Sequence, residues 1–446
     1  MSLYRTKVRQ GELEGTDQGF YAVYKGIPYA PPPIGSLRFC APGPPVNWEG
    51  KRAARENPPV PWQSLWQRDA FYEKEFYRGD KSLERRSEDC LYLNIWTPAK
   101  TKEDKLPVLF WIHGGAFRQG FGHEREFDGE EYCRRGVILV TIQYRLGVFG
   151  FLAHPWLEDG GGNLALQDQI AALNWVYGNI HSFGGDPEKI TVAGQSAGAV
   201  SVQALLCAEE ARDMIRHAIL QSGGGFGQLS RRCRSKREML KAGTDFLEKC
   251  GIRDPGELKE MEAGKLLQMA LRENLPCHFI AAEADGASPR REEPGAARGE
   301  GDPISRGLQL SPEAVLYETA GREIPCLLGS NRNDIRVTSQ MLARGTSSDL
   351  YVGNVEFARH FGKNGRCYLY FFERCLPGDE AGAFHSAELW YMFGTLGRSW
   401  RPFSEEDYRL SEKMLDAWAC FVREGHPGEE DWTAYRDTQP CIRIYG

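Results

Sequence analysis

What is absent narrows the field first. No apolar run approaches the roughly 18 residues that a membrane-spanning helix needs; the longest, Val137-Ile138-Leu139-Val140-Thr141-Ile142, has the length of a strand. The 12 cysteines include no C-x-x-C pair, so neither a dithiol redox motif nor a compact zinc site is present. Several thiols sit in apolar segments, Cys326 beside Leu327 and Leu328, Cys420 between Ala419 and Phe421, and reduced side chains in a cytoplasm are expected. Residues Met1-Ser2-Leu3-Tyr4-Arg5-Thr6-Lys7 have no apolar core of signal-peptide length. An excess of one charge is also missing. Lys plus Arg number 55 against 61 Asp plus Glu, a formal net charge of −6, which leaves no electrostatic footprint for nucleic acid or an anionic membrane. The short basic run at 231–237 is expected as a solvated helix face or loop. No metal or other cofactor is expected, and there is no internal repeat.

What is present is an ordinary globular balance over 446 residues, 41% hydrophobic and 26% charged, enough to bury a large core without a disulfide or metal staple. The first hundred residues are broken by prolines, from Pro28 to Pro61, which predicts turns and short strands there. A different rhythm follows. Strands are predicted at 108–112, 137–142, 190–193, 218–220, 324–328 and 367–372. Helices are predicted at 164–177, 196–207, 355–359 and 405–424. Apolar strands alternating with helices imply a largely parallel sheet covered on both faces. Gly, Pro, Arg and Glu dominate 289–301, which reads as an exposed loop.

Gly194-Gln195-Ser196-Ala197-Gly198 fits G-x-S-x-G, between a predicted strand and a predicted helix. That context points the serine hydroxyl out of the sheet on a tight turn and aims the Ala197 N–H at an oxygen that becomes negative. Upstream, Trp111-Ile112-His113-Gly114-Gly115-Ala116-Phe117 ends another strand with two glycines and can present consecutive N–H groups to the same oxygen. His113 precedes the nucleophile and is assigned a loop-bracing role. Phe117, Phe121, Trp390 and Phe393 flank these motifs, as lining of an apolar pocket or as plain core.

Longer motifs stand in order along the chain. They include Gly26-Ile27-Pro28-Tyr29-Ala30-Pro31-Pro32, Leu37-Arg38-Phe39, Ser87-Glu88-Asp89-Cys90-Leu91-Tyr92-Leu93-Asn94-Ile95-Trp96, Tyr144-Arg145-Leu146-Gly147, Gly162-Asn163, Gln167-Asp168-Gln169 and Phe183-Gly184-Gly185-Asp186-Pro187. With them the chain resembles the type B carboxylesterase family, the cholinesterase-like branch of the α/β-hydrolases, over most of its length. The resemblance implies an α/β-hydrolase fold in a single domain spanning 1–446, with a mostly parallel central sheet flanked by helices and a reduced lid region.

The resemblance also implies a catalytic triad in the order Ser196, acid, His. Gly382-Ala383-Phe384-His385-Ser386-Ala387-Glu388 resembles the family's histidine motif and makes His385 the base, ahead of His426 just past the last helix. Gly329-Ser330-Asn331-Arg332-Asn333-Asp334 resembles the acid loop and makes Asp334 the acid, with Asp285 and Glu323 as rivals. The N–H groups of Gly115, Ala116 and Ala197 would hold the oxyanion. Three departures stand out. Ile335 replaces the glycine that normally follows the acid. Gln195 replaces a glutamate that the resemblance puts in a buried network with Ser222 and Glu388. The disulfide partner of Cys90 in secreted relatives would fall near Asn57, so Cys90 is expected to be free.

The implied function is a serine esterase that hydrolyses small or medium carboxylic esters through an acyl-enzyme. A small-molecule ester is the expected partner, with no nucleic acid and no membrane span. Two other readings use the same residues: a non-catalytic cholinesterase-like binding protein, and acyl transfer to an acceptor other than water. Only 51 positions separate Asp334 from His385. In the family that the chain resembles this interval is typically much longer and carries helices that cover the site, so the short one here implies an open, shallow cleft, unless residues 285–311 fold back as a lid.

Overall fold

The structure is a computed structural model and describes residues 2–281, 324–335, 337–338, 340–341, 348–361 and 366–446. The expectations for residues 285–311, and the rival acids Asp285 and Glu323, lie outside the described residues.

Ten strands make the central sheet: β1 (Thr16–Asp17), β2 (Ala22–Pro28), β3 (Tyr92–Thr97), β4 (Leu106–Ile112), β5 (Ile138–Ile142), β6 (Gly185–Gln195), β7 (His217–Gln221), β8 (Cys326–Asn331), β9 (Cys367–Phe372) and β10 (Ile442–Tyr445). Their spatial order is β10-β9-β8-β7-β6-β4-β5-β3-β2-β1. Strands β4 to β10 pair in parallel, and the antiparallel pairings gather at the β1–β2–β3 edge. This is the mostly parallel α/β-hydrolase sheet that the sequence predicts.

Side chains alternate across a strand, and here both faces are covered. On one face Phe110 and Ile112 of β4, Val192 of β6 and Leu220 of β7 pack against Leu166, Ile170 and Leu173 of helix α1 (Leu164–Asn179). Val202 and Leu205 of α2 (Ala197–Cys207) and Phe357 and Phe361 of α3 (Asp349–Phe361) join them. On the other face Leu109 and Trp111 of β4, Ala193 of β6 and Leu327 of β8 meet Met414, Trp418 and Phe421 of α4 (Glu405–Glu424). Helix α4 begins at a capping box between Ser404 and Asp407, so local chemistry as well as the apolar stripe sets its start.

Several boundaries differ from the sequence reading. The helix expected at 355–359 runs over Asp349–Phe361, because Leu350 and Gly353 also bury against the body. The strand expected at 324–328 is Cys326–Asn331, displaced toward the loop that carries Asp334. Ser196 lies before α2 and not inside it. The basic run 231–237 holds a short strand, Cys233–Ser235, where a loop or helix face is expected. Phe117, Phe121, Trp390 and Phe393 are all fully buried, so they are core and not pocket lining. No disulfide forms among the described residues, and Cys90 is a buried free thiol. No helix among the described residues is long and apolar enough to cross a membrane.

Candidate active site

The functional candidates all hang from the carboxyl ends of the parallel strands, where an open α/β sheet leaves a crevice. Ser196 follows β6, His113 and Gly114 follow β4, and Asp334 and His385 lie in the loops after β8 and β9. Ser196 has φ 55° and ψ −121°, a conformation that costs a residue with a Cβ. The turn closes only because its neighbours are small. A Cβ on Gly198 would run into the carbonyl oxygen of Ile112, and one on Gly194 into the backbone of Gly198. Ser196 is half-buried while Gln195 and Ala197 on either side are buried, so the elbow presents the hydroxyl and little else. Ala197 opens α2, so its N–H has no partner within the helix.

The β4 loop supplies two more such groups. Gly115 has φ 94° and Ala116 φ 56°, which turns the chain back on itself. The Gly115 carbonyl accepts from Arg118 and Gln119 N–H, both at 3.0 Å. Among the described residues no protein acceptor takes the N–H of Gly115 or Ala116. His113 beneath them is fully buried, stacked on Tyr144 with centroids 4.5 Å apart, and its Nδ1 lies 2.9 Å from the Gly114 carbonyl. Burial pushes its ring down to about 4, so it is neutral and braces the loop as the sequence predicts.

Asp334 and His385 meet across two loops zipped by a parallel bridge, Asn333 to Phe384. Asp334 Oδ1 is 2.5 Å from His385 Nδ1. The carboxylate is held in place by the Asn331 N–H at Oδ2 and the Ile335 N–H at Oδ1, both at 2.9 Å. Ile335 in place of glycine therefore leaves the acid loop intact, with its side chain exposed. Burial disfavours the His385 charge, but the Asp334 carboxylate and its hydrogen bond outweigh it and raise the ring above its ordinary value. His426 is exposed just past Gly425, which ends α4 in the left-handed conformation.

The network implied around Gln195 is built differently. Gln195 Nε2 lies 3.3 Å from His385 Nε2. Glu388 is bonded instead to Asn331 Nδ2 at 2.5 Å and Gln221 Nε2 at 3.3 Å. Ser222 Oγ is buried without a partner. Burial, with Asp334 nearby, pushes Glu388 up to about 7. The amide of Gln195 occupies the Nε2 side of the ring.

Sequence reasoning missed the segment that covers the histidine loop. Tyr72 donates to the His385 carbonyl at 3.3 Å, and Phe71 packs edge-on against Phe384 at 4.9 Å. Glu75, one residue before the buried Phe76, binds Arg401, Trp390 and Trp400. The π-helical turn Glu73–Tyr77 that carries it has no strong local signature.

The profile of the carboxylesterase family matches residues 4–351 and 337–444. A para-nitrobenzyl esterase of Bacillus subtilis (strain 168) is 32% identical, over 96% of this chain and 91% of the relative. A human cocaine esterase is 31% identical, over 97% of this chain and 85% of its own length. Among solved structures, a Geobacillus stearothermophilus carboxylesterase superposes with a TM-score of 0.80 at 30% identity, covering 99% of this chain and 96% of the other.

Proposed function

The chain belongs to the carboxylesterase family and is a serine ester hydrolase; on that premise we propose that Ser196, His385 and Asp334 carry its chemistry, with Gly115, Ala116 and Ala197 holding the oxyanion. Ser196 Oγ attacks the ester carbonyl carbon as its proton passes to His385 Nε2. Negative charge then develops on the carbonyl oxygen in front of N–H groups that need no reorganisation to receive it. Asp334 keeps the ring's proton on Nδ1 and stabilises the imidazolium that forms. The alcohol leaves with the proton from Nε2. Water, deprotonated by the same nitrogen, then hydrolyses the acyl-enzyme.

One observation carries this reading. Asp334 binds His385 at 2.5 Å, and His385 Nε2 lies 3.3 Å from Gln195, the residue next to a serine held in a strained, half-buried turn. Strain of this kind collects at functional sites, and here it sits on the one hydroxyl that the elbow presents. The difference between a para-nitrobenzyl esterase and a cocaine esterase supports a broad range of small to medium esters here. Exposed Phe71 and Ile335, next to the His385 and Asp334 loops, support an apolar rim on which such substrates rest.

A fluorophosphonate probe tests the assignment. The expected result is one label per chain, on Ser196 by peptide mapping, with loss of ester hydrolysis in step with labelling. Labelling elsewhere, or full activity after Ser196 is modified, overturns it.

A further inference from the structure

We propose that Gln195 is a positioning residue which caps Nε2 of the neutral His385 ring and so sets the pH at which this base becomes available. The inference rests on the assignment of His385 as the base. Asp334 Oδ1, 2.5 Å from Nδ1, draws the ring's proton to that nitrogen. Nε2 is left with a lone pair, and Gln195 Nε2 lies 3.3 Å from it. Only the amide N–H can face that lone pair with attraction; the amide oxygen would be repelled. The oxygen lies on the other side, where a Cβ on Gly114 would be 2.9 Å away. Gln195 ends β6 and is 3% exposed, so its side chain has little freedom to turn elsewhere.

This hydrogen bond exists in one protonation state alone. When the Ser196 proton arrives, the Nε2 lone pair becomes an N–H bond, and the amide N–H then meets another donor. Gln195 therefore favours the neutral ring. The other groups around His385 act differently. The Asp334 carboxylate at Nδ1 favours the charged ring, the buried Glu388 does so only in its ionised form, and the Tyr72 hydroxyl bonds the His385 carbonyl without touching the ring. Gln195 is thus the one of these neighbours that opposes protonation through the reacting nitrogen. It also stands where the Ser196 hydroxyl must donate, so the serine takes over Nε2 only by displacing the amide.

The test is the pH dependence of kcat/KM in two variants. Gln195→Met keeps the shape and removes the donor, and its acid-limb midpoint should rise by about half a unit to one unit, the worth of one hydrogen bond. Gln195→Glu places a carboxylate beside the ring, and its midpoint should rise by about one to three units. A Gln195→Met midpoint equal to the wild type overturns the proposal, whatever the added charge does in Gln195→Glu. His385→Ala separates this failure from failure of the base assignment. If that variant keeps wild-type turnover, His385 is not the base. If it is inactive while the Gln195→Met midpoint stays still, only the role of Gln195 is lost.

Discussion

Arg401 lies over the ring of Phe384, its guanidinium carbon 5.1 Å from the centroid, one residue before His385. Arg401 is fully buried, and so is its partner Glu75, which accepts from Arg401 Nε at 2.9 Å and from the Trp390 and Trp400 indoles at 2.9 and 3.0 Å. Asp379 takes Arg401 Nη1 at 2.9 Å. The floor of the histidine loop is therefore an ion network, brought together from the proline-broken N-terminal region and the C-terminal third of the chain.

Removing Glu75 should be costly. Glu75→Ala leaves a buried guanidinium with half its compensation, and loss of one partner from such a pair costs about 3–5 kcal/mol. Urea unfolding should show that loss. A decrease under about 1 kcal/mol, the size of an exposed ion pair, would mean the network has no such weight.

Ser196→Gly should separate stability from activity. The φ of 55° at this position suits glycine, so the variant should gain about 1 kcal/mol of stability. Hydrolysis should fall by a factor on the order of 10⁶ in kcat, as in serine proteases without their nucleophile. Thermal melts and an ester assay on one preparation check both halves. A less stable variant would show that the turn is not strained.

The buried carboxyl Glu388 predicts a pH dependence of stability. Its folded-state value is pushed from 4.5 up to about 7, chiefly by burial. A raised value means that the folded state holds the proton more tightly. Its contribution is full below 4.5 and is lost as the pH rises toward 7. His385 is also raised, so its stabilising share is present below its ordinary value of about 6.5 and fades as the pH climbs through the folded value. Glu388→Gln should flatten the melting temperature between pH 4.5 and 7 relative to wild type. An unchanged slope would assign the titration elsewhere.

The open-cleft expectation has a kinetic form. For esters of one acid, kcat/KM should change less than tenfold between a compact alcohol and a bulky aromatic one, a difference under about 1.4 kcal/mol in ΔG‡. Sharp rejection of the bulky alcohol would show that the cleft is closed.

The strained turn at Ser196 was legible because most of its signal is local. Although the close approach to Ile112 that requires Gly198 is tertiary, an apolar strand, two glycines and a run of small residues signal the tight turn at Ser196. The same holds for the sheet. Alternation of apolar strands and helices at 108–220 specifies parallel pairing and two covered faces, and the observed β4, β6 and β7 follow it. Asp334 and His385 needed the resemblance, since nothing in their own neighbourhoods joins residues 51 positions apart.

What only the tertiary structure decided is the surroundings of the imidazole. The Gln195 amide reaches His385 across 190 positions, Tyr72 reaches it across 313, and Glu75 holds Arg401 across 326. Periodicity marked which apolar residues of a strand or helix would be buried, because that burial follows the pattern along one element, whereas Phe117, Phe121, Trp390 and Phe393 needed the structure to place them in the core. Which polar groups then face one another depends on where separate elements close on each other. A hydrogen bond needs its donor and acceptor within a few tenths of an ångström, and only the packed loops after β6, β8 and β9 provide that.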